Sequence, residues 1–333
     1  MLNVLYQSND NYASITGISI LSLLTNNKDI EEINILVLDD SISQINKDRI
    51  QKICDDFGRK LIFIDSTAIL NKLKELKVSP FKGTYTTYFK LIALDNLSEQ
   101  YDRILQLDGD TIIEGSLKPL ITEDIENCVC AATYDCTMNG YKKFINIPET
   151  DKYYNCGVLL VNLKEWKKQD CTNKIINHLT YERNGYYTVD QDIINVLFRK
   201  QIKYLDIKYN YNSGFFLYGI KGSLKLYNLK PEYYNTVEEI EEASKNIVLY
   251  HCMGAMSGRP WEKNSIHPQN NLFDKYWYNS PWKDDEKKTP KRSKIFAIQR
   301  FLYLHLPLGL YIPFHKTMQW LYLNNMNKKV QGK

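Results

Sequence analysis

The sequence predicts an α/β protein with a mostly parallel sheet flanked by helices and a small C-terminal appendage. Short apolar runs alternate with segments of helical periodicity through most of the 333 residues. This alternation is typical of a parallel sheet covered by helices on both faces. A composition of 44% hydrophobic and 25% charged residues is ordinary for a globular protein, and the length allows one large domain plus an appendage.

The first hundred residues contain repeated strand and helix units. The first apolar run has no basic residues before it and no cleavage site after it, so it predicts a strand and not a signal peptide. Ser43 is a plausible N-cap and Gly58 a plausible stop for the second helix. The predicted elements are the strands Leu2–Tyr6, Ile33–Leu38, Leu61–Ile64 and Arg103–Leu107 and the helices Tyr12–Leu24, Ser43–Phe57 and Thr84–Leu94.

The second half continues the pattern less regularly. The Asn- and Tyr-rich stretch Tyr204–Tyr234 has little periodicity and predicts loops over a site. Sheets of this kind bind ligands at the carboxyl ends of their strands, so polar residues there are candidates for function. The predicted elements are the strands Cys128–Tyr134, Gly157–Val161 and Ile247–Tyr250 and the helices Thr172–Arg183 and Asp190–Phe198.

The composition changes after Trp282. Residues 283–333 carry 11 Lys/Arg and 3 Asp/Glu, a net charge of +8, so the other 282 residues carry −4 of the total of +4. The run Phe301–Phe314 is apolar but too short for a spanning helix, which needs about 20 residues. The tail therefore predicts attachment to an anionic membrane surface, with insertion of Phe301, Tyr303, Tyr311 and Trp320, or else a helix packed on the body.

Charge and cysteine content narrow the functional classes. A mildly acidic body does not fit a nucleic-acid-binding protein, whose basic surface normally lies on the folded domain. The seven cysteines are odd in number and scattered without a CxxC pair, which suggests neither a disulfide framework nor a zinc ribbon. A reducing cytoplasm is the simplest compartment.

The most informative motif is Asp108-Gly109-Asp110, directly after a predicted strand. In extended backbone, residues i and i+2 point to the same side, so both carboxylates can bind one cation through hard oxygen ligands. A diphosphate leaving group needs such an ion, because bond cleavage concentrates negative charge on its oxygens. The alternative is a plain acidic turn, since the same tripeptide is excellent turn sequence.

Other polar groups follow predicted strands or open predicted helices. His251 ends a strand and is followed by Gly254 and Arg259, which suit a phosphate, although a lone histidine there is more often structural. Asp190 and Asp192 open a helix, where capping explains them equally well. Asn155 could bind a sugar hydroxyl or form a turn. The segment Ser8–Tyr12 could read a nucleobase or cap a helix, and no GxGxxG or P-loop motif is present.

Taken together, these segments resemble glycosyltransferase family 8, and within it the bacterial retaining α-galactosyltransferases and α-glucosyltransferases of surface-glycan synthesis. The resemblance covers roughly residues 1–265, in order and at compatible spacing. The segments are Asn9-Asp10-Asn11-Tyr12, Thr86-Thr87-Tyr88-Phe89-Lys90-Leu91, Leu107-Asp108-Gly109-Asp110, Tyr154-Asn155-Cys156-Gly157-Val158-Leu159-Leu160-Val161-Asn162-Leu163, Asp190-Gln191-Asp192 and His251…Gly254…Arg259-Pro260-Trp261.

The resemblance implies a GT-A fold over residues 1–282: a Rossmann-like mixed sheet with a nucleotide-sugar half (about 1–135) and an acceptor half (about 136–265). Asp108, Asp110 and His251 would bind Mn²⁺ or Mg²⁺. Asn9 and Asn11 would contact uridine and Asp10 would shape that pocket. Lys90 would face the donor phosphates or sugar, and Gly254 and Arg259 would close on the diphosphate. Asp135, Asn155 and Asp190 would bind sugar hydroxyls, and Gln191 would lie beneath the anomeric carbon. The implied donor-binding residues are Asn9, Asp10, Asn11, Tyr12, Lys90, Asp108, Asp135, Asn155, Cys156, Gly254 and Arg259, with Gln191 and Asp190 catalytic.

The implied activity is Mn²⁺-dependent transfer of galactose or glucose from a UDP-sugar to a glycan, glycolipid or glycoprotein acceptor, with retention of configuration. An amide such as Gln191 is a poor nucleophile, which favours attack from the leaving-group face over a covalent intermediate. Two other classes stay open: a nucleotidyltransferase acting on sugar phosphates and a non-catalytic sugar-binding protein. The expected location is the cytoplasm, at the inner face of the cell membrane. Because every candidate residue precedes Trp282, deletion from about Lys287 is expected to spare donor hydrolysis.

Overall fold

The computed structural model describes residues 1–81, 83–182, 186–254, 256–290 and 292–330, and these form a seven-stranded and a three-stranded sheet with surrounding helices. The strands are β1 Leu2–Asn9, β2 Ile33–Asp40, β3 Lys60–Asp65, β4 Arg103–Leu107, β5 Thr111–Ile113, β6 Cys130–Ala132, β7 Val158–Asn162, β8 Ile202–Tyr204, β9 Tyr211–Asn212 and β10 Leu249–His251. The helices are α1 Ala13–Asn26, α2 Gln44–Asp56, α3 Thr67–Glu75, α4 Phe89–Leu97, α5 Lys118–Ile121, α6 Leu163–Lys168, α7 Cys171–Asn177, α8 Asp190–Phe198, α9 Gly214–Tyr218, α10 Ile220–Tyr227, α11 Val237–Ser244, α12 Asn270–Trp277, α13 Lys294–His305 and α14 Leu308–Val330. Short 3₁₀ or π turns cover Asp10–Tyr12, Thr86–Tyr88, Asn139–Ile145, His178–Glu182, Arg199–Gln201 and Ile207–Tyr209.

The large sheet has the order β3-β2-β1-β4-β7-β6-β8. The first four strands are parallel, so the carboxyl ends of β1, β2 and β4 lie at one edge. Strand β7 runs antiparallel to β4, with Leu107 opposite Val158. The start of β7 therefore lies beside the end of β4, which brings Asn155–Gly157 next to Asp108. This mixed α/β sheet confirms the predicted fold class.

Two apolar layers cover the sheet. Helices α4, α6, α7 and α8 contribute to one layer, whereas α1, α2 and α12 contribute to the other. Trp282 belongs to the second layer: it is 1% exposed and lies against Gly17 of α1, where a Cβ would be only 2.3 Å from the indole ring. The body therefore extends at least to Trp282.

The prediction of loops for Tyr204–Tyr234 was wrong. The segment contains β9, α9 and α10 and ends before α11. Its tyrosines are core residues, with Tyr211, Tyr218 and Tyr234 exposed by 2%, 3% and 4%. The helices are only five and eight residues long, too short to leave a periodic signal in a window of the usual length.

The C-terminal tail forms the predicted helical appendage, and part of it packs on the body. Tyr311 of α14 is fully buried with Tyr218 and Leu226 of the α9–α10 region, and Trp320 stacks on Phe144 with ring centroids 5.5 Å apart. The expectation that Tyr311 and Trp320 insert into a membrane was therefore wrong, because both rings already have apolar partners. In the described part of the chain, no helix is both long and apolar enough to cross a membrane.

An exposed apolar face remains on the other side of the tail. We call it the outer tail face, and its side chains are 37–65% exposed. It consists of Ile295, Ile298, Phe301, Leu304, Leu308, Leu310 and Phe314.

The charged linker after Trp282 forms hydrogen bonds and a salt bridge with the body. The backbone N–H of Lys288 donates to Trp261 O at 3.0 Å, and the N–H of Lys263 donates to Lys288 O at 2.8 Å. The Lys288 ammonium also donates to the carbonyl of Asn11, and Arg292 forms a salt bridge with Glu262. We call residues 286–290 together with Arg292 the linker clamp, because their contacts hold the loop that carries Arg259.

Candidate active site

A cleft of about 1170 Å³ opens at the carboxyl ends of β1 and β4. It is large enough for a substrate of drug size or larger. Its lining includes residues of the β1–α1 junction and of the Thr86–Tyr88 turn, and also Tyr141, Tyr187 and Tyr227. The predicted residues on its surface are Asn9, Tyr12, Asp108, Asp110, Asp135, Asn155, Cys156, Asp190, Gln191, His251, Gly254 and Arg259.

Asp108, Asp110 and His251 converge in this cleft. One ligand atom from each lies within 4.8 Å of the others, and His251 Nε2 is 3.3 Å from Asp110 Oδ1. Burial opposes ionisation of Asp110, but His251 and Arg259 lower the pKa of this carboxyl below its usual value. The two carboxylates fit Mg²⁺ or Mn²⁺, and the imidazole nitrogen favours a transition metal over Mg²⁺. The donor set therefore fits the Mn²⁺ that the sequence predicts.

Two glycines allow this close approach. A Cβ on Gly109 would lie 2.5 Å from Thr16 Oγ1, so the Asp-Gly-Asp turn can pack on α1 only without a side chain. A Cβ on Gly157 would lie 2.4 Å from His251 Cε1. The imidazole therefore occupies the space that a side chain at residue 157 would fill.

A chain of side-chain hydrogen bonds orients His251. Asp135 Oδ1 accepts from Asn155 Nδ2 at 2.6 Å, and Asn155 Oδ1 accepts from Asn210 Nδ2 at 2.8 Å. His251 Nδ1 lies 2.9 Å from Asn210 Oδ1. The backbone N–H of Gly157 donates to Asn155 Oδ1 at 2.8 Å, so this atom is an acceptor and the orientation of both amides follows. His251 Nδ1 must then carry a proton, and in the neutral imidazole the lone pair lies on Nε2, where it can bind a metal ion.

Arg259 closes one side of the metal-binding residues. Its Nη1 lies 2.6 Å from Asp110 Oδ2 and donates to Cys252 O at 2.6 Å. The side chain crosses Gly254, where a Cβ would lie 2.4 Å from Arg259 Nε. The sequence suggested that Gly254 lets backbone approach a phosphate; in the structure its missing side chain makes room for the guanidinium.

Lys90 does not line the cleft, contrary to the expectation that it faces the donor. Its side chain is 1% exposed, and Nζ lies 2.7 Å from Asp190 Oδ2 and 3.5 Å from Asp108 Oδ1. It also donates to Cys156 O at 2.9 Å. Helix α4 carries Lys90 beneath the site, where the ammonium links the two carboxylates. Burial raises the pKa of Asp190 to about 6, although Lys90 counteracts this shift.

Gln191 is held at both ends of its amide. Its Oε1 accepts from Cys156 N at 3.1 Å, and Nε2 donates to Tyr153 OH at 3.3 Å. The same tyrosine donates to Asp192, which also accepts from Tyr141 OH at 2.5 Å and Thr188 N at 2.8 Å. Asp192 is fully buried, and its hydrogen bonds hold the cleft wall around Gln191 in place. The sequence had suggested only that Asp192 interacts with the helix dipole.

Only part of the N-terminal motif reaches the cleft. Asn9 and Tyr12 line it, and Asn9 Oδ1 also caps the turn by accepting from Tyr12 N at 3.1 Å. Asp10 and Asn11 are exposed and are not among the lining residues. Asp10 Oδ1 instead accepts from Ser43 N and Asn46 Nδ2, each at 2.8 Å, and so fastens the turn to α2.

Comparisons with known proteins identify the family of this chain. The sequence profile of glycosyl transferase family 8 matches residues 3–265. The chain is 28% identical over 310 residues to a lipopolysaccharide 1,2-glucosyltransferase of Escherichia coli K12, covering 92% of this chain and 85% of that protein. It is 26% identical to a lipopolysaccharide 1,3-galactosyltransferase of Salmonella typhimurium, covering 84% of this chain and 79% of that protein.

Solved structures agree on the architecture. Galactosyltransferase LgtC, crystallised with donor and acceptor sugar analogs, superposes with a TM-score of 0.64 at 22% identity, covering 87% of this chain and 98% of LgtC. At this identity the likeness establishes the GT-A fold. The family profile, in contrast, matches well over half of the sequence. The chain therefore belongs to glycosyltransferase family 8, a family of enzymes that transfer glycosyl groups.

Proposed function

We propose that the protein transfers galactose or glucose from a UDP-sugar to a surface glycan, glycolipid or glycoprotein, with Mn²⁺ as cofactor and retention of configuration. The observation that carries this proposal is the convergence of Asp108, Asp110 and His251 beside Arg259 in one cleft. A diphosphate leaving group needs positive charge at this place. Relatives that are named as a glucosyltransferase and a galactosyltransferase support a hexose donor.

We propose one orientation of the donor in the cleft. Uridine contacts Asn9 and Tyr12, and the diphosphate lies beside the metal-binding residues and Arg259, all of which line the cleft. Asp135, Asn155 and Asp190 also line it and bind the donor sugar, because they can accept hydrogen bonds from sugar hydroxyls or donate to them. In this proposal Lys90 does not contact the donor; its salt bridge with Asp190 holds that carboxylate in place.

Retention follows from attack on the face that the leaving group occupies. The bond from the anomeric carbon to the β-phosphate oxygen breaks, and the acceptor oxygen bonds to that carbon while its proton passes to the departing phosphate. A divalent cation bound by Asp108, Asp110 and His251 would neutralise the charge that develops on the diphosphate. Arg259 stabilises the same charge from the protein side. Gln191 stabilises the positive charge of the sugar ring through its fixed amide oxygen.

Substitution of Gln191 tests this division of roles. We expect Gln191→Ala to lower kcat by about 10²-fold, in the range reported for loss of one group that stabilises a transition state. The side chain is half-buried, so the thermal midpoint should change little. Mass spectrometry of wild-type protein quenched during turnover should find no glycosyl adduct; a hexose bound covalently to Gln191 would refute front-face attack.

Incubation with a panel of nucleotide sugars separates this function from its two alternatives. We expect hydrolysis of UDP-galactose or UDP-glucose that requires Mn²⁺ and stops with excess chelator. A nucleotidyltransferase would instead consume a sugar 1-phosphate with a nucleoside triphosphate, and a sugar-binding protein would do neither. Absence of hydrolysis for every nucleotide sugar tested would overturn the proposed function.

We further propose that the enzyme works at the cytoplasmic face of the cell membrane, bound peripherally through the outer tail face. The face combines exposed apolar side chains with a tail of net charge +8, which suits an anionic leaflet. The seven cysteines are all free, as is typical of a reducing compartment.

A double substitution tests membrane attachment without disturbing the core. Ile298 and Phe301 are 60% and 59% exposed, so Ile298→Ser/Phe301→Ser should fold normally and lose most co-sedimentation with phosphatidylglycerol vesicles. Binding of the wild type should weaken at high salt, because exposed charges are screened within about 10 Å at 0.1 M. Ile45→Ser/Tyr278→Ser, at positions 68% and 63% exposed on the body, is the matched control. Equal sedimentation of all three proteins would exclude the outer tail face as the attachment site.

A further inference from the structure

Helix α14 forms a wall of the cleft, although it lies outside the part of the chain that matches the family profile. Gln319, Tyr322 and Leu323 line the cleft together with Tyr187 and Tyr227 of the body. The tail therefore contributes directly to the site, and the boundary after Trp282 does not separate the tail from the chemistry.

The helix is held firmly in this position. The Trp320 ring stacks on Phe144 at an interplanar angle of 20°, and Lys143 Nζ lies 4.4 Å from the centre of the indole. A Cβ on Gly140 would lie 3.3 Å from the same indole, so α14 is in close contact with the Asn139–Ile145 turn. Leu323 is 9% exposed and belongs to the main core. These contacts fix the backbone that carries the cleft-lining side chains.

Tyr322 differs from its neighbours because half of its side chain is accessible. It is 53% exposed, and its ring meets Tyr187 edge-on with centroids 6.0 Å apart. Gln319 lies one turn earlier, with Nε2 3.1 Å from Nε2 of the buried His315. An aromatic surface with an amide beside it thus faces the cleft.

A continuous series of contacts leads from this wall to Gln191. Tyr187 packs against Tyr141 with centroids 5.8 Å apart, and the Tyr141 hydroxyl donates to Asp192. Asp192 also accepts from Tyr153, which in turn accepts from Gln191. The wall is therefore linked by direct contacts to Gln191, in the part of the cleft where the proposed transfer takes place.

We propose that α14 completes an acceptor subsite, in which Tyr322 packs against the apolar face of a saccharide ring and Gln319 hydrogen-bonds its hydroxyls. Sites of this kind combine aromatic surface with a few polar groups that set orientation. This inference rests on the proposed function, since transfer of a hexose requires an acceptor beside the donor in the cleft. The occupant is the saccharide whose hydroxyl attacks the donor.

The test compares donor hydrolysis with transfer. The acceptor probes are water-soluble p-nitrophenyl α- and β-glycosides of glucose, galactose and N-acetylglucosamine, which remove any contribution of membrane binding. We expect Tyr322→Ala to raise the acceptor KM about tenfold, which corresponds to about 1.4 kcal/mol, and Gln319→Ala to raise it less. Donor hydrolysis without acceptor, the donor KM and the thermal midpoint should stay as in wild type. Tyr322→Phe should behave as wild type because it keeps the ring.

Leu321→Ala is the matched control, because Leu321 is 57% exposed on the same helix and does not line the cleft. An unchanged acceptor KM in Tyr322→Ala, or an equal rise in Leu321→Ala, would overturn the inference while leaving the proposed function intact. Wild type that hydrolyses the donor but transfers to none of the glycosides would also overturn it. Wild type that hydrolyses no nucleotide sugar would instead refute the proposed function itself.

Discussion

Asp108→Asn and Asp110→Asn are each expected to lower donor hydrolysis by about 10³-fold or more, a loss of about 4 kcal/mol of transition-state stabilisation. Each substitution keeps the size of the side chain and removes one negative oxygen ligand. Calorimetric titration with Mn²⁺ in the presence of UDP should show weakened metal binding in both variants. Asparagine is preferred to alanine at residue 110, because it can still accept a hydrogen bond from the half-buried Arg259.

The control for this pair is Asp56→Asn, at a side chain that is 58% exposed and paired with Lys52 on the surface. It should retain wild-type activity and metal binding. Excess chelator should reduce the wild type to the level of the aspartate variants, and added Mn²⁺ should restore the wild type alone. Full activity of the wild type in chelator would rule out Asp108 and Asp110 as essential metal ligands.

Gly157→Ala is expected to lower donor hydrolysis by about 10²-fold, because a displacement of about 1 Å at a reacting group has an effect of this size. The new Cβ would lie 2.4 Å from His251 Cε1, so the imidazole must move. Overpacking of this kind also lowers the free energy of unfolding by about 1–3 kcal/mol. Weaker Mn²⁺ binding with little change in secondary structure would link the loss of activity to His251.

The same substitution at Gly309 gives the control. A Cβ there meets nothing within 4 Å, and the residue lies in α14. Gly309→Ala should leave activity unchanged and stabilise the protein by about 0.5–1 kcal/mol. If Gly157→Ala binds Mn²⁺ as wild type does, the close packing of Gly157 on His251 has no part in holding the metal ligand.

The periodicity of the sequence was sufficient to predict the long helices and strands. Helix α2 begins after Ser43, whose Oγ accepts from Asn46 N, as its capping pattern predicted. Strands β1, β2 and β4 pair in parallel, so the alternation of strands and helices gave the right architecture. Short elements such as β9 and α9 were not predicted. The antiparallel direction of β7 could not be read from its apolar residues, because a buried strand has the same pattern in either direction.

Within the site, the sequence best predicted those residues that are close together in the chain or in paired strands. Asp108 and Asp110 are two residues apart, and His251 is the last residue of β10, which pairs with β5 just after them. Asn210, which orients His251, carried no signal, because an asparagine in an Asn- and Tyr-rich segment resembles a loop residue. The resemblance implied that Lys90 faces the donor, but Lys90 does not line the cleft, because matching a motif gives the position of a residue in the chain and not the direction of its side chain.

The linker clamp also changes what can be expected of truncated protein. Deletion from Lys287 would remove the backbone hydrogen bonds of Lys288 with the loop that presents Arg259, together with the Arg292 salt bridge to Glu262. We therefore expect this deletion to lower donor hydrolysis, contrary to the expectation from the sequence. The tail and the loop that carries Arg259 are thus joined by backbone hydrogen bonds and a salt bridge. Under the proposed attachment to a lipid surface, the membrane-binding tail would therefore be in direct contact with the loop that the same proposal assigns to the diphosphate.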